Sequence, residues 1–178
     1  MKCIVLDIDN TLVHTNTKIK KHLIDTIMTE EKYYYMRRRI YNVKKSGNIY
    51  YGVKRPYLED FINFCFLNFD YVCVWSAAEK NYVYDMTKII FCRSESPDLV
   101  FTGEQTTYIN GNPVKDLNII ADALSIKLDD IVAVDDTLST FSKNPDNAIL
   151  IYKYTVDNNI ESIQKTDDCL LKIQIMLS

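Results

Sequence analysis

The chain has 178 residues, a formal net charge of −3 and a pI near 5.4. This length suits one domain with a single sizeable core, and the weakly acidic balance excludes binding to nucleic acid through a global positive field. No apolar stretch approaches the length that crosses a membrane. The five cysteines lack the spacing of metal or redox motifs, which predicts buried thiols in a reducing compartment. We therefore expect a cytoplasmic or nuclear protein without membrane contact.

Short apolar runs rich in β-branched residues predict strands of a parallel sheet that is covered on both faces. These runs are residues 3–6, 71–75, 131–134 and 148–152. Apolar residues at helical spacing predict helices at about 56–69, 78–91, 117–124 and 158–177, with a short irregular helix over 17–32. The alternation of strands and helices predicts an α/β three-layer sandwich with a mostly parallel, Rossmann-like sheet.

Two stretches interrupt this alternation. The first, residues 33–53, is rich in Tyr, Ile and Val around Ser46-Gly47-Asn48, which predicts a β-hairpin with its turn at these three residues. The second, residues 92–114, is a short insertion. Neither could build a lid with its own core, so we expect one domain over residues 1–178 without a large cap. An open site favours a macromolecular ligand.

Three of the predicted strands end in residues suited to phosphate chemistry. They are Asp7 and Asp9 after the first strand, Ser76 after the second, and Asp135 and Asp136 after the third. Parallel α/β sheets bind ligands outside the carboxyl ends of their strands, so these side chains are expected to converge. Lys115 adds a cation. A single polar residue after a strand is usually a solvated turn, but three such strands and a lysine together favour one shared site.

The order of these motifs resembles the haloacid dehalogenase superfamily of phosphotransferases, in which Asp-x-Asp-x-Thr follows the first strand. Over about residues 2–152 the sequence more closely resembles the small phosphatases of the RNA polymerase II C-terminal domain, also called NLI-interacting-factor-like phosphatases. The matching segments are Asp7-Ile8-Asp9-Asn10-Thr11-Leu12-Val13-His14, Val53-Lys54-Arg55-Pro56, Trp75-Ser76-Ala77-Ala78, Val114-Lys115-Asp116-Leu117 and Asn144-Pro145-Asp146-Asn147-Ala148. The ordered set is far more specific than any one motif.

This resemblance implies an enzyme that works through an aspartyl-phosphate. Asp7 would be the nucleophile, and Asp9 would protonate the leaving alkoxide and later activate water. Ser76, the backbone N–H groups after it, and Lys115 would hold the phosphoryl oxygens. Thr11 is expected to brace the first loop as part of the phosphate-binding group.

A divalent cation is also expected, because two acidic residues beside a dianionic phosphate would otherwise repel it. Mg²⁺ prefers oxygen ligands, including one or two carboxylates. The predicted ligand group comprises Asp7, Asp9 through its backbone carbonyl, Asp136 and Asp135. Within this group Asp135 is expected to orient either Lys115 or a water molecule on the metal.

The sequence thus predicts a Mg²⁺-dependent phosphoserine or phosphothreonine protein phosphatase, and the resemblance suggests the RNA polymerase II C-terminal domain as substrate. The alternatives are a phosphatase of small molecules or nucleic-acid 3′ ends, and a phosphopeptide-binding module without turnover. Ser76 and Asp136 stand where the resembled group more often has Thr and Asn. Both replacements preserve the hydroxyl and the oxygen ligand that the chemistry needs.

Basic and aromatic residues are interleaved in the predicted hairpin. They are Arg37, Arg38, Arg39, Lys44 and Lys45 with Tyr33, Tyr34, Tyr35, Tyr41, Tyr50 and Tyr51. They could dock a phosphorylated or proline-rich peptide, or simply form a solvated hairpin whose tyrosines pack on the body. Contact with single-stranded nucleic acid is a less favoured alternative. His14 is expected to form a hydrogen bond within its loop, and Arg55 could anchor the hairpin.

Overall fold

The structure is a computed structural model that describes residues 1–16, 18–45 and 47–178. Its central sheet has five strands, which are β1 (Cys3–Leu6), β5 (Tyr71–Trp75), β6 (Leu99–Phe101), β9 (Ile131–Asp135) and β10 (Ala148–Leu150). Their order is β10-β9-β1-β5-β6, and every pairing is parallel. The predicted parallel α/β fold is confirmed. All four residues of β1 are fully buried, as expected for a strand covered on both faces.

The register of the sheet brings the ends of its three central strands level. Leu6 pairs with Val74 on one side and with Val134 on the other. The N–H of Asp7 continues this pattern by donating to the carbonyl of Val134 at 3.0 Å. The residues that follow β1, β5 and β9 therefore share one edge of the sheet.

Helices cover both faces. The main ones are α1 (Lys21–Thr29), α2 (Leu58–Asn68), α3 (Lys80–Ile90), α4 (Asn118–Leu124), α5 (Ile160–Gln164) and α6 (Cys169–Leu177). Apolar residues of α2, α3 and α6 pack with Ile4 and Leu6 on one face of the sheet. On the other face, Ile120 and Ala121 of α4 pack with Cys3 and Val5. The result is the predicted three-layer sandwich.

Several helix boundaries differ from the sequence expectation. Helix α2 begins at Leu58, two residues after Pro56, because Tyr57 adopts a left-handed conformation with φ = 63°. The single closing helix expected over 158–177 is instead split into α5 and α6. Asp167 lies in the break, where its carboxylate accepts hydrogen bonds from Arg55 and from the N–H of Cys169. The irregular helix is the regular α1, and Thr17, its expected start, lies outside the described residues.

The expected hairpin is part of a three-stranded antiparallel sheet. Its strands are β2 (Val13–Asn16), β3 (Ile40–Lys45) and β4 (Asn48–Lys54), in the order β2-β4-β3. The expectation of a strand from residue 33 is wrong, because Glu31–Arg39 forms a 3₁₀ helix that buries Met36. Arg37 fixes that helix by donating to the carbonyl of Ile27 at 3.2 Å. Ser46 of the expected turn lies outside the described residues.

The insertion over 92–114 contributes β6 and a second small hairpin. This hairpin consists of β7 (Thr107–Ile109) and β8 (Asn112–Val114). Asn110 and Gly111 connect the strands with φ values of 52° and 79°, which Asn and Gly tolerate best. Lys115 directly follows β8.

The cysteines are all free thiols. Burial was predicted correctly for Cys3, Cys65 and Cys73 but not for Cys92, which is exposed, or for the half-buried Cys169. Within the described part of the chain, no helix is both long and apolar enough to traverse a bilayer.

Candidate active site

The carboxyl edge of the parallel sheet carries a cleft of about 250 Å³. Six of the seven residues predicted for the site line it, namely Asp7, Asp9, Ser76, Lys115, Asp135 and Asp136. Asp7 follows the central strand β1, so it lies between the serine after β5 and the acidic pair at the end of β9. The convergence expected from the strand ends is therefore present.

A buried lysine joins two of these acidic residues. Lys115 Nζ lies 2.7 Å from Asp7 Oδ1 and 2.6 Å from Asp135 Oδ2. Asp135 also accepts hydrogen bonds from the N–H of Thr137 at 2.7 Å and from the hydroxyl of Thr140 at 3.1 Å. Both oxygens of Asp135 are thus engaged, and the lysine is held between two carboxylates.

Burial and the charges of neighbouring groups together set the pKa values in this cluster. It raises the pKa of Asp7 to about 7, against the opposing attraction of Lys115, while Asp135 and Asp9 raise it further. Burial alone lowers the pKa of Lys115, but the combined attraction of Asp7 and Asp135 outweighs it and the net pKa is raised. The pKa of Asp136 is raised by burial and by the neighbouring charge of Asp135.

The half-buried Asp9 faces a residue that the sequence reasoning did not assign to the site. The hydroxyl of Tyr82 donates to Asp9 Oδ1 at 2.5 Å. Tyr82 lies in the helix predicted over 78–91, and only 8% of the residue is exposed. Its apolar spacing gave the ring's place in the core but no sign of where the hydroxyl would point.

The turn after Asp9 is held by local contacts. Asn10 adopts a left-handed conformation with φ = 64°, which asparagine tolerates well. His14 Nδ1 lies 2.9 Å from Asn10 Oδ1, as expected for a histidine bonded within the loop. Burial, followed by the charge of Lys153, lowers the pKa of His14. The imidazole therefore belongs to the turn.

Thr11 does not line the cleft, although it was predicted with the phosphate-binding group. It is fully buried, and its hydroxyl accepts from the N–H of Asp136 at 3.0 Å. Its hydroxyl also lies 3.4 Å from Asp136 Oδ1. Thr11 therefore joins the loop after β1 to the loop after β9, which agrees with its expected bracing role.

The segment after β5 forms another wall of the cleft. Ser76 is buried, and its Oγ accepts from the N–H of Ala78 at 3.2 Å. Gly103 supports this segment from behind, because its N–H donates to the carbonyl of Ala78 at 2.8 Å. A Cβ at Gly103 would lie 2.8 Å from the carbonyl oxygen of Ala77, so only glycine fits without displacement.

Lys153 is a second cation at the cleft, and the sequence reasoning missed it. It is exposed and follows β10 closely, so the rule that singled out the ends of the other strands could have found it. It gives the cleft an exposed positive group in addition to the buried Lys115.

Three carboxylates at the cleft are close enough to share a cation. One oxygen from each of Asp7, Asp135 and Asp136 lies within 4.8 Å of the others. Carboxylate oxygens are the donors that Mg²⁺ prefers, and a divalent cation would offset the cost of ionising the buried Asp7. Because Asp135 already binds Lys115 and Thr140, the donor set fits a cation that contacts Asp7 and Asp136 directly. The carboxylate of Asp9 is not one of these three.

The fold and this group of side chains define the chain as a phosphatase of the haloacid dehalogenase type. More specifically, residues 2–178 match the family model described as NLI interacting factor-like phosphatase. The chain belongs to that family, and the resemblance noted in the sequence is confirmed.

Individual relatives agree with this assignment. A CTD phosphatase-like protein of invertebrate iridescent virus 3 is 28% identical over 186 residues, which cover 97% of this chain and 93% of the viral protein. Phosphatase PSR1 of Saccharomyces cerevisiae is 28% identical over 164 residues, which cover 89% of this chain and 33% of the yeast protein. The solved structure of Fcp1, an essential RNA polymerase II CTD phosphatase, matches with a TM-score of 0.67 at 20% identity. This last match covers 98% of the chain and 48% of Fcp1, and it concerns the fold alone.

Proposed function

We propose that the chain is a Mg²⁺-dependent protein phosphatase that removes phosphate from phosphoserine or phosphothreonine. The observation that carries this proposal is the pair of acidic residues on one loop with different surroundings. Asp7 is buried against Lys115, whereas Asp9 is half-buried and bonded to Tyr82. Two carboxyl groups with different environments suit two different roles, a nucleophile and a general acid.

In the proposed reaction a carboxylate oxygen of Asp7 attacks phosphorus as the P–O bond to the substrate side chain breaks. The protonated carboxyl of Asp9 gives its proton to the departing oxygen. Water then attacks the aspartyl-phosphate after losing a proton to Asp9, which releases phosphate and restores Asp7. Lys115 and the segment that begins at Ser76 hold the phosphoryl oxygens throughout.

Asp7 and Asp136, with the backbone carbonyl of Asp9, would hold Mg²⁺. When bound, the cation would neutralise phosphate charge beside the acidic residues. Asp135 has the separate task of orienting Lys115, which its contacts with Thr137 and Thr140 support.

The preference for a protein substrate rests on the access to the cleft. The insertions at 33–53 and 92–114 contribute strands to small antiparallel sheets, and we propose that residues 1–178 act as one catalytic domain without a large lid. A phosphorylated side chain on an extended protein segment could therefore reach Asp7. The names of the viral relative and of Fcp1 make the RNA polymerase II C-terminal domain the first substrate to test.

The test compares phosphate release from a phosphoserine heptad-repeat peptide with release from an aryl phosphate, with and without Mg²⁺. Asp7→Asn is the blank, and acid-quenched protein is analysed by mass spectrometry for a phosphoryl group on Asp7. We expect metal-dependent release, loss of release in the variant and a kcat/KM that favours the peptide. Better turnover of the aryl phosphate would shift the assignment to small molecules or nucleic-acid ends. Peptide binding without any release would instead indicate a binding module.

A further inference from the structure

The hydrogen bond between Tyr82 and Asp9 belongs to a longer chain of hydroxyl groups. Thr15 Oγ1 lies 3.0 Å from the hydroxyl of Tyr82 and 2.8 Å from the hydroxyl of Tyr41. The sequence of contacts is therefore Tyr41, Thr15, Tyr82 and Asp9. It runs from the three-stranded sheet, through the first turns of α3, to the cleft.

The position of Tyr41 depends on a glycine in the middle strand of that sheet. Gly52 pairs with Thr15 on one side and with Tyr41 on the other. A Cβ on Gly52 would collide with the ring of Tyr41. The absence of this atom lets the ring lie across β4, so that its hydroxyl reaches Thr15. The outer end of the chain is thus fixed by backbone pairing.

We propose that Tyr82 is a positioning residue that holds the carboxyl group of Asp9 in the orientation needed for proton transfer. Its hydroxyl donates to Oδ1, so we assign the proton that Asp9 delivers to the other oxygen, Oδ2. This inference rests on the proposed phosphatase reaction and adds a residue that does not itself contact the phosphate.

The packing of Tyr82 fixes the direction of its hydroxyl group. Its ring packs in the core with Val83 and Met86 of the same helix. A buried ring has few rotamers, and the hydroxyl position is correspondingly well defined.

Tyr82→Phe removes the hydroxyl and keeps the ring. The readout is kcat/KM, which reports formation of the aspartyl-phosphate, measured for alkyl and aryl phosphates with leaving groups of increasing basicity. A poor alkoxide leaving group needs the proton from Asp9, whereas a good phenolate hardly does. We expect a loss of roughly 10- to 100-fold for alkyl phosphates and phosphoserine peptide, with a loss below about threefold for the best aryl leaving group.

Two further variants distinguish a positioning role of Tyr82 from a general disturbance of the folded structure. Tyr82→Phe combined with Asp9→Asn is expected to be no slower than Asp9→Asn alone, because the tyrosine acts only through Asp9. Thr15→Val keeps the shape of the side chain and removes its hydrogen bond to Tyr82. We expect a smaller loss of kcat/KM with the same dependence on the leaving group. Thr15→Val also serves if Tyr82→Phe folds poorly.

An equal loss for every leaving group, or an additive loss in the double variant, would overturn the role of Tyr82 while the phosphatase assignment remained. Undiminished phosphate release by Asp7→Asn would instead overturn the proposed reaction itself, and with it the positioning role. The two failures are therefore distinguished by which variant departs from expectation.

Discussion

The guanidinium of Arg55 forms a two-point ion pair with Asp167, which lies 112 residues further along the chain. Nε and Nη2 each lie 3.0 Å from a different oxygen of that carboxylate. Arg55 is 1% exposed, and it also donates to the carbonyls of Thr11 at 3.0 Å and Tyr152 at 2.7 Å. One side chain therefore joins the loop after β1, the segment after β10 and the break between α5 and α6.

Arg55→Met is expected to lower the free energy of unfolding by about 3–5 kcal/mol, because it leaves a carboxylate and two carbonyls without their donor. Urea denaturation followed by circular dichroism measures the change. Lys21→Met is the control, since it breaks the exposed Lys21–Asp25 pair, whose atoms lie 2.7 Å apart. The control should leave the urea midpoint unchanged. Similar midpoints for the two variants would show that Arg55 does not hold these segments together.

The stability of the metal-free protein should depend on the ionisation of Asp7. In the unfolded chain an aspartate has a pKa of about 3.9, whereas burial raises the pKa of Asp7 in the folded protein to about 7. Protonated Asp7 therefore stabilises the folded protein fully below the pKa of the unfolded state. This stabilisation, roughly 4 kcal/mol at most, is lost as the pH rises through the pKa of the folded state. In EDTA, Asp7→Asn should therefore raise the Tm at about pH 8 and change it little at about pH 4. Scanning calorimetry across this range measures both, and a parallel pair of Tm curves would contradict the expectation.

Added Mg²⁺ should reverse the cost of ionising Asp7. We expect Mg²⁺ to raise the Tm of the wild-type protein at mildly alkaline pH and to have a much smaller effect on Asp7→Asn, because binding to the folded state adds stability in proportion to occupancy. Asp25→Asn, at an exposed residue of α1, is the control and should respond like the wild type. Equal shifts in all three proteins would indicate that Mg²⁺ acts elsewhere.

The site residues that follow the strands could be predicted from the sequence, because their positions depend on a local apolar pattern and on one rule of sheet topology. Asp7, Ser76 and Asp135 follow apolar runs, and parallel pairing brings such ends together. Tyr82 could not be found in this way. Its spacing correctly placed the ring in the core, but the direction of its hydroxyl depends on Thr15, in a strand too short and polar to be predicted.

Long-range pairing also explains the errors in the helices. The break is polar, and Asp167 within it accepts hydrogen bonds from the remote Arg55 and from the N–H of Cys169, contacts that the helical spacing over 158–177 does not reveal. Likewise, the tyrosine-rich residues 33–39 have strand propensity, yet Arg37 donates to the carbonyl of Ile27 in the preceding helix and Arg39 to that of the distant Ile163, and both contacts favour a 3₁₀ helix. Tertiary contacts outweighed local propensity in both places.

Lys115→Met should remove activity and also destabilise the metal-free protein, because Asp7 and Asp135 would lose their shared cation inside the cleft. Adding Asp135→Asn removes one of the two uncompensated charges. The double variant should therefore regain much of the lost stability, measured by urea denaturation, while kcat/KM stays at the level of the single variant. Recovery of activity together with stability would show that Lys115 has only a structural role.

Gly103→Ala tests the wall of the cleft formed by the segment after Ser76. The new methyl group would lie 2.8 Å from the carbonyl oxygen of Ala77 and 3.0 Å from that of Ala78, so this segment must move. We expect kcat/KM to fall by roughly tenfold or more, as misplacement of phosphate-holding groups is costly even when it is small. A loss of thermal stability with unchanged kcat/KM would show that the segment does not hold the phosphate.

Arg38 offers the sharpest test of peptide docking on the basic segment before β3. Arg37 and Arg39 bond to backbone carbonyls, so changing them would disturb the fold, whereas Arg38 is exposed and lines a surface cleft of about 370 Å³ with Lys54 and Lys88. Arg38→Glu should raise KM for an acidic phosphopeptide by roughly threefold to tenfold and leave the constants for a small aryl phosphate unchanged.

The matched control for Arg38→Glu is Lys165→Glu, which makes the same change of net charge at an exposed residue of the break between α5 and α6. It corrects for long-range repulsion between the protein and an acidic peptide, which weakens as salt is added. If both variants raise the peptide KM equally, the effect of Arg38 is only one of net charge. A rise confined to Arg38→Glu would place the peptide along the cleft beside β3, because only a local contact distinguishes the two positions.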